Sequence, residues 1–471
     1  MKKTIVLTTL LLICLLCPAR DIPREKAAEI ASDFLRKARP ASTGSSGTSE
    51  PKLVKESAMY YVFERGTGGF AVISADDVAV PVLGYSMNGT FPADNVPESL
   101  QAMLDWYEEV IAFARLQGWE EDTVIKAKAA AESDREVRLN TAKWGQWSPF
   151  NDLSPIINGQ KCPSGCTATA IAIVMKYHSC PKQGTGTLPG YDYGYDYETG
   201  KYLYHMDSQE LGHEYDWDNM PENASGYTAY QSAQIAQLLF DVGVMCEMDF
   251  APGGSGAYLS QALKLAKYFG YDNSIRNMER KFYSTSEWEQ MIHEEINAGR
   301  PVLYAGYTDE SGHAFVVDGY KGDYFSLNYG WSYGSAYFLL TPVEGHENEL
   351  TDFHAGQSMV THIFPDAGGA KYVNIAVPHH IFPFSWNFED KKARFEGVWL
   401  MNQNYDDEAD WSADVAYCLY NKNGQFKKQL SQAARVRSGH PYVSAMDVTM
   451  PSAIEDGDQI MLSRQYEDSW Q

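Results

Sequence analysis

The chain has 471 residues, with 38 Lys and Arg against 62 Asp and Glu, and a formal net charge of −24 at pH 7. This length predicts about three domains rather than one compact core. A surface this acidic repels phosphate backbones and anionic lipid headgroups, so the charge argues against nucleic acid or a membrane surface as a partner. We expect an acidic, soluble protein of several domains.

The first residues, MKKTIVLTTLLLICLLCPAR, have the features of a secretory signal peptide. A basic start precedes a short apolar run and small residues suited to cleavage after Ala19. The run is short for a membrane-spanning helix, and no later segment is long and apolar enough to span. A membrane anchor is the alternative interpretation. The sequence therefore predicts a signal peptide at 1–19 and a secreted protein, extracellular or periplasmic.

Residues 20–140 predict a small α+β domain followed by a linker. Apolar residues at helical spacing indicate helices at 22–38 and about 97–117, and Gly118 is a stop signal. Between them, alternating apolar residues and glycine-rich turns indicate a hairpin-rich sheet. The charged, Ala-rich stretch at 122–140 indicates an exposed helix or linker, where we place the domain boundary.

Two further blocks complete the predicted organisation, at 141–366 and 367–471. In the first, we expect a helix after Cys166, a helix near 226–243, and strands at 301–307, 313–320 and 324–331. The second has short β-like runs, no strong helix signal and an Asn423-Gly424 turn, which is typical of a β-sandwich. The chain stops shortly after a strand signal, so this module could continue in the natural protein.

An odd number of cysteines remains once the predicted signal peptide is removed: Cys162, Cys166, Cys180, Cys246 and Cys418. At least one is therefore free or intermolecular, and their density is too low for a disulfide-stapled scaffold. A helix of 13 residues would separate Cys162 from Cys180 by more than a disulfide can bridge. We expect Cys162 to be exposed in a turn, because a bond to Cys166 would close a strained loop.

Cys166 opens the run CTATAIAIVMKYH, which is apolar nearly all round and predicts a buried central helix. A thiol at a helix N-terminus has a lowered pKa, and the free N–H groups there can donate to an oxyanion. A buried structural thiol remains the alternative. Zinc binding is disfavoured, because the C-x3-C spacing has no second pair nearby. We expect no metal and no cofactor.

Two other segments offer partners for a reaction at Cys166. Gln160, six residues earlier, could place a side-chain N–H beside the Cys166 N–H as a second oxyanion donor. His313 starts an alternating strand, and the returning segment YFSLNYGW brings Asn328 and Trp331 towards it. His313 is therefore a candidate base, with a carboxamide orienter and an aromatic shield. The alternative interpretation of His313 is a hydrogen-bonded core histidine. Four other histidines are expected at the surface or at a helix end: His178, His205, His213 and His293.

Four stretches together resemble the streptopain-like (family C10) cysteine peptidases: GQKCPSGCTATAIAIVMKYH, YDWDNMP, GHAFVVDGY and LNYGWSYGSAYFLL. These are papain-fold enzymes secreted as zymogens by streptococci and by anaerobic oral and gut bacteria. The resemblance covers about 141–366 in order and spacing, and residues 20–120 resemble the inhibitory prodomain of the family. It implies an α+β fold in which a papain-like peptidase domain follows an α+β inhibitory prodomain and precedes the β-sandwich module.

The resemblance also implies roles for individual residues. Cys166 corresponds to the nucleophile, His313 to the general base and then acid, Gln160 to the oxyanion hole, and Asn328 to the histidine-orienting turn. Three residues match positions where the family lines its substrate cleft: Gly312, Gly254 and Ser255. The chain departs from the family after the asparagine, where Tyr329 replaces the usual tryptophan, while Trp331 is kept.

The sequence thus predicts a secreted, monomeric cysteine endopeptidase acting on proteins or peptides, with its own prodomain as intramolecular inhibitor. Cleavage in the linker at 122–143 would activate it. Two alternatives stay open. The first is an acyl transferase or amidase with the same dyad. The second is a catalytically impaired adhesion or inhibitor protein, suggested by Tyr329 and the C-terminal module.

Overall fold

The structure is a computed structural model that describes residues 21–37, 50–66, 68–94, 96–119, 135–223, 225–307, 312–330, 336–343 and 356–370. In the C-terminal part it describes 372, 375–376, 384–387, 392–399, 401–402, 412–437, 442–451, 455–466 and 469–470. The predicted signal peptide and Trp331 lie outside these residues, as does most of the predicted linker.

The first domain packs two helices on opposite faces of an antiparallel sheet. The helices are α1 (Arg24–Lys37) and α2 (Glu98–Gln117), and the strands are β1 (Lys52–Glu56), β2 (Tyr60–Glu64), β3 (Phe70–Ser74) and β4 (Val82–Ser86). Because side chains alternate along a strand, Phe63 and Ile73 pack with α1, while Val62 and Val72 pack with α2. Helix α2 ends at Gly118, whose φ of 68° suits a left-handed cap. Both expected helices are present.

In its described residues, the middle block contains four helices and most of the strands of the large sheet. The helices are α3 (Cys166–His178), α4 (Ala229–Met245), the single turn α5 (Leu265–Tyr268) and α6 (Thr285–Asn297), with 3-10 turns at Trp217–Asn219, Leu259–Lys264 and Arg280–Phe282. The short strands are β5 (Glu136–Arg138), β6 (Ile156–Ile157), β7 (Gln160–Lys161), β8 (Thr187–Leu188) and β11 (Gln209–Glu210), beside the hairpin β9 (Tyr191–Asp196) and β10 (Lys201–Met206). The longer sheet strands are β12 (Arg276–Glu279), β13 (Val302–Tyr307), β14 (Gly312–Lys321), β15 (Tyr324–Asn328), β16 (Ala336–Phe338) and β17 (Gln357–Thr361).

One antiparallel sheet runs through the first domain and the middle block, in the order β1-β2-β3-β4-β16-β15-β14-β13-β17-β12. The junction is the pair β4–β16, in which Tyr85 faces Tyr337 and Gly84 faces Phe338. One apolar cluster likewise contains side chains from both domains, including Tyr107 of α2 and Phe315 of β14. The two domains therefore share a sheet and a core.

The last block is entirely β in its described residues. Its strands are β18 (Ile375–Ala376), β19 (Phe384–Asn387), β20 (Lys392–Trp399), β21 (Met401–Asn402), β22 (Ser412–Tyr420), β23 (Phe426–Gln429), β24 (Ala434–Arg437), β25 (Tyr442–Thr449), β26 (Gln459–Tyr466) and β27 (Ser469–Trp470). Ala393 and Val448 of the β19-β20-β25 sheet share a buried cluster with Tyr417 and Leu419 of the β22 sheet. Two sheets enclosing one apolar layer form a β-sandwich.

The structure contradicts the predicted exposed linker at its C-terminal end. Glu136–Arg138, expected in an exposed helix or linker, is strand β5, and it pairs with Gly319, Tyr320 and Lys321 of β14. Only Val137 of these three residues is apolar, so the sequence carried no strand signal, and the strand forms through its pairing with β14. Helix α6 was also missed, although Ser284 and Glu287 form a capping box at its start.

Candidate active site

Cys166 is the first residue of the buried helix α3, as expected. Every residue from Cys166 to Met175 is buried. Gly165 precedes it with a φ of 89°, and a Cβ there would lie 2.6 Å from Met248 Sδ and 3.0 Å from the Ser255 carbonyl oxygen. Only glycine fits both the backbone conformation and the space. The thiol is thus held at the point where the Ser255 loop meets the helix start.

His313 lies next in the chain to a residue that touches this thiol. The backbone N–H of Ala314 donates to Cys166 Sγ at 3.4 Å. Ala314 and His313 are neighbours in β14, and His313 is 6% exposed. Helix α3 packs against β14. The structure therefore brings the His313 backbone beside the thiol, from a segment about 150 residues away in sequence.

The pKa of Cys166 differs from the expectation for a helix N-terminus. Burial raises the pKa of the Cys166 thiol, and the hydrogen bonds from the backbone N–H groups of Ala314 and Thr167 offset this only in part. In the chain with its first domain docked, the thiol therefore favours its protonated form. The sequence alone could not show this, because the burial comes from residues distant in the chain.

Gln160, the expected oxyanion donor, is exposed at the surface of the middle block. It is exposed in the hairpin β6–β7, whose turn residues Asn158 and Gly159 both have positive φ. Its side chain has no hydrogen bond to any described residue. The expectation for Gln160 therefore stays a prediction.

Gln146 was missed in the sequence, and it lies at the entrance to the cysteine helix. It is 6% exposed, and its carbonyl oxygen accepts hydrogen bonds from the backbone N–H of Ser164 at 3.0 Å and from the Ser164 hydroxyl at 3.4 Å. Ser164 stands two residues before Cys166. The sequence signal was the run KWGQW, a glutamine between two tryptophans ahead of the cysteine.

Asn328 lies at the end of β15, with Val316 as its partner in β14. Its side-chain N–H2 donates to Thr141 Oγ1 and to the Ala142 carbonyl oxygen, both at 2.9 Å, and its Oδ1 accepts from the Gly330 N–H at 3.2 Å. These bonds use both ends of the carboxamide. Asn328 therefore shapes the turn after β15, and does not hold the imidazole directly as expected of an orienter.

Tyr329 packs between aromatic rings beneath the first domain. Its ring centroid lies 5.6 Å from that of Phe315 and 6.0 Å from that of Phe338. Its hydroxyl is buried without a hydrogen-bond partner among the described residues. Burial raises its pKa well above the ordinary value. The position thus holds an aromatic ring, but its hydroxyl oxygen makes no hydrogen bond to a described residue.

The expected cleft residues lie in two segments. Ser255 is buried and donates through its hydroxyl to the Pro163 carbonyl oxygen at 2.8 Å, which brings the loop at 251–256 to the start of the cysteine helix. Gly254 is exposed in the same loop, and Gly312 is exposed at the start of β14. The three expected positions thus border the elements that carry Cys166 and His313.

The remaining cysteines are all free. Cys162 is 0% exposed, so the expectation of an exposed turn cysteine was wrong. The fold of the hairpin β6–β7 places it inside the middle block's core. His293, expected at the surface, stacks on Phe325 with ring centroids 5.0 Å apart. No group of His, Cys, Asp or Glu side chains in the described ranges could hold a metal ion. Within the same ranges, no helix is long and apolar enough to cross a membrane.

Two family models match the chain. The model of the Peptidase C10 family matches residues 144–338, and the model of the Spi protease inhibitor matches residues 19–111. The first contains Cys166 and His313, and the second contains most of the first domain. The match to an inhibitor domain agrees with the shared sheet and core that join this domain to the middle block.

The chain is also similar to known proteins and to a solved structure. Streptopain from Streptococcus pyogenes is 30% identical over 334 residues, which are 65% of this chain and 81% of streptopain. The thiol protease/hemagglutinin PrtT of Porphyromonas gingivalis is 34% identical over 369 residues, 73% of this chain. The match spans only 42% of the length of that protein. A solved fragment of prointerpain A from Prevotella intermedia superposes with a TM-score of 0.56 at 32% identity, covering 67% of this chain and 98% of the fragment.

These findings define a cysteine peptidase preceded by an inhibitory prodomain. The chain belongs to the Peptidase C10 family, the streptopain-like cysteine peptidases, and it has the zymogen arrangement of that family. The predicted family and the predicted α+β, papain-like fold class are confirmed.

Proposed function

We propose that this chain is a secreted cysteine endopeptidase, made as a latent zymogen, that hydrolyses peptide bonds through Cys166 and His313. The observation that carries the proposal is the 3.4 Å contact between Cys166 Sγ and the N–H of Ala314, the residue after His313. It joins a nucleophile at a helix start to the strand that carries the base. Secretion rests on the N-terminal signal-like stretch.

In the proposed mechanism His313 takes the thiol proton, and the thiolate attacks the peptide carbonyl carbon. The oxyanion is stabilised by the Cys166 backbone N–H, with Gln146 rather than Gln160 as the side-chain donor, because Gln146 is anchored to the loop before Cys166. His313 then protonates the leaving amine, and water hydrolyses the thioester. Asn328 and Tyr329, with Trp331, would shape and shield the histidine side of the site. Gly312, Gly254 and Ser255 would border the substrate.

The prodomain would inhibit in the same molecule. It shares a sheet and a core with the strand of His313, so its docked state is part of the folded zymogen. Protein or peptide substrates are the proposed partners, and the chain is proposed to act as a monomer. Activation requires cleavage between the prodomain and the peptidase domain.

The test compares purified wild-type chain with Cys166→Ala and with Cys180→Ala as a matched cysteine control. Wild type and Cys180→Ala should lose the prodomain, as seen by intact mass, and should cleave internal bonds of an unfolded protein substrate. Cys166→Ala should fold but do neither. Prompt self-processing of Cys166→Ala would refute the proposal. If an added amine is present and every product carries that amine in place of a free carboxyl group, the acyl transferase alternative is favoured.

A further inference from the structure

A short segment after the linker enters the interior between the two halves of the candidate site. In the segment 139–146, six of eight residues are buried, and only Asn140 and Lys143 are exposed. It leaves β5, which pairs with β14, and it ends at Gln146 beside the cysteine helix. We call this segment the strap.

On one side the strap is bonded to the strands β14 and β15. The Leu139 N–H donates to the Asp318 carbonyl oxygen at 2.7 Å, and the Thr141 hydroxyl donates to Asp318 Oδ2 at 2.7 Å. Asn328 in turn donates to Thr141 Oγ1 and to the Ala142 carbonyl oxygen. Thr141 thus links the strand that carries His313 to the end of its neighbour.

The carboxyl group at the centre of this network is deeply buried. Asp318 is 1% exposed, and its second oxygen accepts the Ser326 hydroxyl at 2.6 Å. Removing one hydrogen-bond donor from a buried carboxyl group costs stability, because burial keeps water from replacing the lost bond. The position of the Thr141 hydroxyl is therefore fixed by two hydrogen bonds, because it donates to Asp318 and accepts from Asn328.

On the other side the strap is bonded to the start of the cysteine helix. The Gln146 carbonyl oxygen accepts from Ser164, and the Thr169 hydroxyl lies 3.1 Å from the Ser164 hydroxyl and 3.5 Å from the Gly145 carbonyl oxygen. Thr169 also contacts the turn after β15, since a Cβ on Gly330 would lie 2.9 Å from its Cγ2. The strap is therefore hydrogen-bonded both to the helix that begins at Cys166 and to the strands β14, which carries His313, and β15.

We propose that the strap fixes the relative position of Cys166 and His313, and that Thr141 is a positioning residue for the peptidase reaction. The inference rests on the proposed function. Removing the Thr141 hydroxyl would take one donor from the Asp318 carboxyl group and one of the two acceptors from the Asn328 amide. The turn at Gly330 and the β14 backbone could then shift against the cysteine helix, and small displacements of reacting groups lower the rate of the chemical step strongly.

The test uses processed enzyme carrying Thr141→Val, which keeps the shape and removes the hydroxyl, and Thr141→Ser, which keeps the hydroxyl. Thr361→Val is the control, because Thr361 is also buried and its hydroxyl bonds, among the described residues, only to the Met278 sulfur. We expect Thr141→Val to lower kcat per titrated site about tenfold with KM unchanged. Thr141→Ser and Thr361→Val should keep the wild-type kcat. If Thr141→Val does not fold, Thr141→Ala replaces it.

A second readout separates this inference from the proposed function. The rate of Cys166 alkylation by iodoacetamide across pH reports the thiol's surroundings without turnover, and Thr141→Val should change that profile while Thr361→Val should not. If the wild type hydrolyses no peptide, the proposed function fails, and the alkylation profile still decides on the strap. A Thr141→Val enzyme with lowered thermal stability but wild-type kcat and alkylation profile would overturn the inference.

Discussion

Tyr329 shows how one residue can distinguish this chain within its family. Its ring fills the place of an aromatic side chain between Phe315 and Phe338, but its hydroxyl is buried without a partner among the described residues. An unsatisfied buried hydroxyl costs about 1–3 kcal/mol. Phe338 also faces Gly84 of the prodomain, so this cost arises in the docked zymogen.

Tyr329→Phe should therefore stabilise the zymogen. In a Cys166→Ala background, which keeps the chain unprocessed, we expect the free energy of unfolding to rise by about 1 kcal/mol or more, because only the unpaired hydroxyl is removed. Chemical denaturation measures it. Tyr107→Phe is the matched control and should destabilise, since its hydroxyl lies 3.0 Å from the Leu83 and 2.6 Å from the Leu339 carbonyl oxygen. Equal effects of the two substitutions would contradict the account.

Gln146 and Gln160 are the two candidates for the side-chain donor to the oxyanion. Gln146→Ala should lower kcat by about 10²-fold or more, because a developing oxyanion would lose one of two donors. Gln160→Ala should leave kcat unchanged, since Gln160 is exposed and makes no hydrogen bond to a described residue. Steady-state kinetics on a short peptide substrate decides between them. A large loss for Gln160→Ala alone would restore the assignment made from spacing.

At the scale of elements, the sequence was most informative where the pattern is local. The apolar run after Cys166 predicted a buried helix, and the alternation after His313 predicted the antiparallel pair that the structure shows as β14 and β15. Both signals arise from side-chain periodicity within one segment. Some strands of the C-terminal β-sandwich were predicted from the same periodicity.

The contacts between segments were not readable in this way. Gln146 and Thr141 act through bonds to residues 18 and 177 positions away, and nothing in their neighbouring residues indicates those partners. Cys162 was expected in an exposed turn because a bond to Cys166 would close a strained loop, whereas the fold of the middle block encloses it. Positions set by long-range contacts need the three-dimensional arrangement before they can be assigned.

Glu295 of helix α6 forms an ion pair with Arg300 and accepts the backbone N–H of His362, the residue after β17, and this carboxyl group should govern acid stability. Glu295 is 3% exposed; burial alone would raise its pKa, but hydrogen bonds from Arg300 and the His362 N–H outweigh it and lower the pKa to about 2. A carboxyl group with a lowered folded-state pKa stabilises the protein above its unfolded pKa of about 4.5, and this contribution is lost as the pH falls towards 2.

Glu295→Gln should accordingly remove much of this pH dependence. The wild type should lose on the order of 3 kcal/mol of stability between pH 5 and pH 2 through this group, and the variant should be less stable at pH 6 with a flatter profile. Urea denaturation of Cys166→Ala zymogen across this range measures it. Glu294→Gln is the control, because Glu294 is exposed one position earlier. Parallel profiles for Glu295→Gln and the wild type would contradict the assignment.

For the whole molecule, we expect latency to depend on the sheet that continues from the prodomain to the peptidase domain. At the junction Gly84 lies flat against the Phe338 ring, and a Cβ there would lie 2.2 Å from Phe338 Cδ1. Gly84→Ala should therefore force β4 and β16 apart and loosen the prodomain. We expect faster prodomain removal by an added protease in the Cys166→Ala zymogen.

The rescue variant tests whether this contact is the cause. Gly84→Ala combined with Phe338→Leu should return the removal rate towards that of the parent zymogen, because the smaller side chain makes room for the new methyl group. A Gly84→Ala zymogen as resistant as its parent would show that the β4–β16 pair does not hold the prodomain.

The central claim is that Cys166 is the nucleophile of a latent peptidase, and labelling with a thiol-directed peptide electrophile tests it most directly. The processed protein should take up one equivalent at neutral pH, located on Cys166 by peptide mapping. The unprocessed zymogen should react more slowly, with a rate that rises with pH, because burial raises the pKa of the Cys166 thiol. A processed protein that stays unlabelled at Cys166, or that reacts equally at Cys180, would contradict the account.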